Sequence, residues 1–176
     1  MSSGLPFSRP YNLNRLRSVG DVVDFSATDE EKAALAGFVD VLRVENLFGR
    51  IALQNVSPNR FQLEFSLAAD IVQACVVSLT DVASHIERNF ARDLHFSPPL
   101  RRSKDLPDPP EVSLQDDAPE EIESLNYDLA GPLIEELVLA IEPYPRAPGV
   151  EFQPPAEGQE APQNPFAVLK GLKSGL

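Results

Sequence analysis

The chain has 176 residues, 43% of them hydrophobic, with seventeen prolines, a single cysteine and a net charge of −12. That length accommodates one ordinary domain plus tails, and the lone Cys75 excludes an internal disulfide and a thiolate zinc cage. No apolar run approaches the ~20 residues needed to cross a bilayer and the N-terminus carries no signal-peptide core, so the sequence predicts a soluble cytoplasmic protein with no membrane partner.

Proline and charge are unevenly spread. Fourteen of the prolines lie from Pro98 onward, so most of the regular structure is expected before that point. Residues 1–104 hold twelve Lys/Arg and twelve Asp/Glu, whereas 105–160 hold fifteen acidic groups against Arg146 alone. Such a segment repels phosphate backbones and attracts basic partners, or it is simply a solvated linker.

In chain order, Tyr11 to Arg17 reads as a weak first strand, and Val22, Val23 and Phe25 as an apolar stop before a helix. Thr28 can cap that helix, with Glu31 completing a capping box, and Gly37 is expected to end it. Strands are predicted over Phe38–Val44 and Gly49–Val56, followed by a turn at Ser57-Pro58-Asn59. Phe61, Leu63, Phe65 and Leu67 alternate strictly with polar residues, the signature of a half-buried strand. Ala68–Leu79 reads as a second, more apolar strand, and Val82–Phe96 as a further strand or as a helix starting at Asp81.

A flexible acidic loop is expected over 98–123. Asp128 can cap a second helix, with Pro132 in its first turn; Leu129, Leu133, Leu137 and Ile141 form a row with Ile134 and Val138 beside it. Pro143 and Pro145 stop that helix. The domain is thus placed at 1–145, a Pro/Glu-rich linker at 146–163, and a short helical motif at 164–176. In that motif Asn164 can cap, Pro165 suits the first position, and Phe166, Leu169 and Leu172 share a face. So few residues cannot hold a helix alone in water. The motif either docks on its own domain or folds into a partner's groove. The fold class is α+β: a mainly antiparallel sheet of five or six strands, able to curl toward a barrel, packed by two helices.

Chemistry is sparse. His85 and His95 read as surface or cross-strand residues, and Cys75 sits in an apolar run where a thiol is inert packing. Glu135 and Glu136 are adjacent on a helix and point about 100° apart, which suits a solvated edge and not a catalytic dyad. There is no phosphate-cradling glycine motif. No catalytic residue, metal ligand, cofactor or small-molecule substrate is predicted. For RNA, the candidates are Arg9 and Arg15 near Phe7 and Tyr11, Arg88 and Arg92 near Phe90, and Arg101 and Arg102 in the loop. Arg88 and Arg92 are an even number apart, so a regular strand shows both on one side.

Three segments and their order resemble the YceD family of large ribosomal RNA subunit accumulation proteins. They are Gln73-Ala74-Cys75-Val76-Val77-Ser78-Leu79, the helix Leu133 to Ile141 with its Glu142-Pro143-Tyr144-Pro145-Arg146 exit, and Asn164-Pro165-Phe166-Ala167-Val168-Leu169-Lys170. The opening Phe7-Ser8-Arg9-Pro10 is similar to the start of its proteobacterial members. The resemblance implies a role in accumulation of the large-subunit (23S) ribosomal RNA. Many members carry a Cys-x-x-Cys pair where this chain has Cys75 and Ser78, and some have further cysteines where it has Pro145 to Gly149. Two functions are expected. One is a non-catalytic factor that binds ribosomal RNA or a pre-ribosomal particle. The other is an acidic adaptor or holdase for a basic ribosomal protein or RNA-processing enzyme, holding its partner through Asn164, Pro165, Phe166, Leu169 and Leu172.

Overall fold

The computed structural model describes residues 4–98 and 118–151, arranged as an α+β fold. Its elements are β1 (Pro10–Asn12), β2 (Asp21–Ser26), α1 (Asp29–Val39), β3 (Arg43–Ser57), β4 (Arg60–Ala74), β5 (Asp81–Phe96), β6 (Glu120–Ile122), β7 (Asn126–Asp128) and α2 (Ala130–Ala140). Strands β2 to β6 form an open five-stranded sheet in sequence order, and β1 pairs with β7 in a separate ribbon. The sheet does not close into a barrel. All pairings are antiparallel except β5 with β6.

The frame is three long strands of fifteen, fifteen and sixteen residues, each about 50 Å at 3.3 Å per residue. Their length corrects the expected segmentation. Phe61–Leu67 and Ala68–Ala74 are one strand, because Ala69 and Ile71 keep the inward parity set by Phe61, Leu63, Phe65 and Leu67, whereas Cys75–Leu79, expected as the rest of a second strand, lie in the turn that follows. The two strands expected at 38–44 and 49–56 are likewise one, β3, while Phe38 and Val39 belong to α1. Gly49 does not interrupt β3 because Phe25, its direct partner on β2, lies over it. A Cβ at Gly49 would sit 2.5 Å from the Phe25 ring and 3.0 Å from Leu133 Cδ1. Residues 81–96 are strand, not helix; Phe90 stacks on its cross-strand partner Phe65, centroids 4.8 Å apart.

The capping box forms as expected: Thr28 Oγ1 accepts the Glu31 N–H, and Glu31 Oε2 accepts the Thr28 N–H. The helix does not end at Gly37. It continues to Val39, and Asp40 takes the left-handed conformation at φ 56°, its N–H donating to Ala36 O. The Tyr11–Arg17 strand stops at Asn12, whose side chain accepts the Asn14 N–H and turns Leu13–Arg15 into a single 3₁₀ turn. Val22–Phe25 is not a stop but the strand β2, with Val23 and Phe25 turned to the core. The acidic loop expected to 123 ends earlier, since Glu120–Ile122 pairs with Leu94–Phe96. Helix α2 buries Leu129, Leu133, Ile134 and Leu137 on the sheet, but Val138, expected beside that stripe, is 46% exposed. Asp128 does not occupy the cap position itself; its Oδ1 accepts the N–H of Ala130 and also that of Arg9.

One inner cluster therefore joins Leu35 and Ala36 of α1, Leu133 and Leu137 of α2 and the inward rows of β3 and β4. Both helices cover the same sheet face. The other face, carrying Asp24, Arg50, Glu64, Asp70, His85, Glu87 and Asp93, is left uncovered by helices. Arg9 clips the N-terminal segment onto this layer. Its guanidinium makes two hydrogen bonds to the Glu31 carboxylate, at 2.7 and 2.8 Å, and lies over the Phe7 and Phe25 rings.

Two stability outcomes follow. Gly49→Ala should cost about 1–3 kcal/mol in denaturant unfolding, because the Phe25 ring must leave the strand surface. Glu31 is held down to about 2 by the hydrogen bond from Arg9, then by the Thr28 N–H, against an ordinary 4.5. Its stabilisation is therefore complete above about pH 4.5 and disappears as pH falls through about 2. Glu31→Gln should lower stability by about 1–2 kcal/mol at neutral pH, with the gap from the native protein closing across that acid window. A gap independent of pH would show that Arg9 does not hold Glu31 in this way.

Candidate nucleic-acid interface

Arg88 and Arg92 lie on one side of β5, as their spacing requires, but that side is the covered one. Their row is Ile86, Arg88, Phe90, Arg92 and Leu94, opposite Ala69, Leu67, Phe65, Leu63 and Phe61. At the margin of the core the two arginines meet α2. Arg92 donates to Glu135 Oε2 at 3.3 Å, and Arg88 lies 3.9 Å from Glu136 Oε1. Glu135 and Glu136 are thus not a bare solvated edge; each faces an arginine. The signal for this was present in the sequence, since Ile86, Phe90 and Leu94 share the parity of the arginines. Both arginine side chains stay partly exposed, at 50% and 39%. Pairs of this kind contribute little, about 0–1 kcal/mol, and leave the guanidinium groups able to exchange partners.

The remaining candidates are scattered. Arg9 is committed to Glu31 and the aromatic pair. Arg15 stands on the 3₁₀ turn after β1, exposed, beside a hollow bounded by Pro10, Tyr11, Asn12 and Asn126. The structure therefore brings Arg88 and Arg92 together, and places Arg9 and Arg15 on the N-terminal segment. Arg101 and Arg102 lie outside the described residues, as do Asn164, Pro165, Phe166, Leu169 and Leu172.

The histidines are on the uncovered face. His85 Nδ1 is 2.6 Å from Asp70 Oδ1, its register partner, and Nε2 is 3.3 Å from Glu87 Oε1. Asp70 first, then Glu87, raises the His85 pKa above its usual value. His95 sits opposite Arg60. Among the described residues, no group of three or more His, Cys, Asp or Glu is placed to hold a metal ion, and no helix is long and apolar enough to cross a membrane.

Cys75 is fully buried where the β4–β5 turn meets the segment after α2. Its Sγ accepts the N–H of Ser78 at 3.4 Å and of Ala147 at 3.3 Å, while its own N–H donates to Thr80 O. Val76 N–H donates to Pro145 O, and Gln73 Nε2 to Glu142 O. The β4–β5 turn and the segment after α2 therefore converge on Cys75, with the Ser78 and Ala147 N–H groups on its sulfur. The hydrogen bond from the Ser78 side chain, followed by the Ala147 N–H, pulls the thiol down to about 6. Burial nevertheless controls its reactivity, because a thiolate must be reached to react. Cys75 should label with a thiol reagent only slowly in the native protein and at full rate once unfolded. Rapid native labelling would mean that the 75–80 turn opens away from residues 145–147.

A family model described as Large ribosomal RNA subunit accumulation protein YceD matches residues 63–173, more than half of the chain. No curated protein and no solved structure matches it.

Proposed function

The chain belongs to the YceD family of large ribosomal RNA subunit accumulation proteins, and on that premise we propose that it supports large-subunit ribosomal RNA by binding, through contact with that RNA or with a pre-ribosomal partner. The family match carries this reading. It spans β4 to α2 and so includes the strand and helix that bear Arg88, Arg92, Glu135 and Glu136.

The direct-RNA form uses Arg88 and Arg92, with Arg101 and Arg102 in the connection that follows β5. A phosphate would replace Glu135 and Glu136 as the partner of the two β5 arginines. With a net charge of −12, broad tracking of a phosphate backbone is disfavoured, so binding is local and strongly salt-dependent. Nothing in this reading calls for a reacting group; the protein acts by occupying a surface.

The second reading is an adaptor or holdase for a basic ribosomal protein or RNA-processing enzyme. The fifteen acidic groups in 105–160 favour it, together with the apolar side chains Phe166, Leu169 and Leu172.

Gel-shift titration with large-subunit RNA fragments separates the two. Binding at low salt that weakens about tenfold in Arg88→Ala/Arg92→Ala supports the RNA form, since two phosphate contacts are lost. Failure of the intact protein to shift any fragment at low salt defeats it. Deletion of residues 161–176 should abolish capture of a basic ribosomal protein while leaving thermal unfolding unchanged; capture that survives the deletion defeats the tail-mediated adaptor.

A further inference from the structure

We propose that the hollow on the outer side of the β1–β7 ribbon is a docking site for one unpaired nucleotide of RNA, an inference that rests on the direct-RNA reading above. The hollow has a volume of about 370 Å³ and is lined by Pro10, Tyr11, Asn12, Arg15 and Asn126. Asn12 and Asn126 are register partners across the ribbon, so their side chains leave it side by side on one face. The carboxamide oxygen of Asn12 is committed to the Asn14 N–H, which leaves its amino group to donate. No hydrogen bond engages the Asn126 carboxamide among the described residues. Paired carboxamides offer the donors and acceptors that read the edge of a single base, and Pro10, on the same face, supplies a flat apolar wall.

Charge points to the same ligand. Arg9, Arg17, Arg88 and Arg92 each have a carboxylate partner, whereas Arg15 has none among the described residues. It therefore offers a guanidinium to a phosphate without first breaking an ion pair. The ribbon that carries the hollow is braced from its core side, where Tyr11 packs. Tyr11 Oη donates to Asp21 Oδ2 at 2.8 Å, which fixes the ring. Leu13 N–H donates to Leu125 O and Leu129 N–H to Arg9 O, tying both ends of the ribbon together. A preformed polar pocket with one unpaired cation suits a splayed-out base and its phosphate. A duplex would need a row of cations, and around this hollow Arg15 is the one lining cation.

The test is fluorescence anisotropy with labelled single-stranded 12-mers of each base and with a large-subunit RNA fragment, on the full chain. Arg15→Ala should weaken binding about tenfold and lower the salt slope by about one, with partial recovery in Arg15→Lys. Asn126→Ala should flatten the preference among bases while leaving the salt slope unchanged, because it removes a base contact and no phosphate contact. Thermal unfolding of each variant checks that the ribbon persists. If the native protein binds RNA and these variants bind it equally well, this site is wrong while the RNA reading stands. If the native protein binds no RNA, the reading itself falls and takes the site with it.

Discussion

On a pleated strand every second side chain faces the same way, and along β5 that rule fixes most of what this surface can do. The row that contains Ile86, Phe90 and Leu94 must face the helices, because Phe90 stacks on Phe65 and Leu94 is buried. Arg88 and Arg92 belong to the same row and have no other face available. They are tolerated there because the sheet margin is only partly covered and because α2 presents Glu135 and Glu136 at that height. The glutamates and arginines are therefore one unit. Any phosphate that approaches β5 meets cations whose charge is already balanced.

The N-terminal segment is organised by a different interaction. Arg9 donates twice to Glu31, which is itself the third residue of a capping box, so one carboxylate orders both the start of α1 and the incoming chain. The backbone of Arg9 then meets Asp128 and Leu129 at the entry to α2. With Phe7 and Phe25 against the guanidinium, these contacts bring the first strand, both helix starts and β2 to one corner of the molecule. The β1–β7 ribbon owes its position to this corner. The sequence shows an arginine beside aromatics, a pattern that suits RNA contact. In the fold Arg9 is a structural clamp, whereas Arg15 has no carboxylate partner among the described residues.

The distribution of charge narrows how a member of this family can work. The sheet face without helices carries more carboxylates than arginines, and residues 105–160 add fifteen acidic groups. That excess of negative charge disfavours broad coating of a phosphate backbone. The junction around Cys75 makes a related point. Two backbone N–H groups converge on one sulfur, an arrangement that holds the β4–β5 turn to the segment after α2 by hydrogen bonds. In this chain that junction contributes cohesion of the fold.

Local signals in the sequence determined the α+β class, the capped start of α1, the turn at Pro58-Asn59, the alternating Phe61–Leu67 run and the buried stripe of α2. Each rests on neighbours within a few residues, where side-chain periodicity and capping chemistry act directly. The family resemblance was legible for the same reason, since its segments are short and contiguous. What the sequence left open depended on contacts between distant residues. Whether Gly49 breaks a strand was settled by Phe25 lying over it, and where α1 ends by Asp40 accepting a left-handed turn. The pairing of Arg88 and Arg92 with Glu135 and Glu136, and of Asn12 with Asn126, joins residues more than forty positions apart. Only the tertiary structure could decide those pairings, because a side chain's charge is written in the sequence but its partner is chosen by the packing of one element against another.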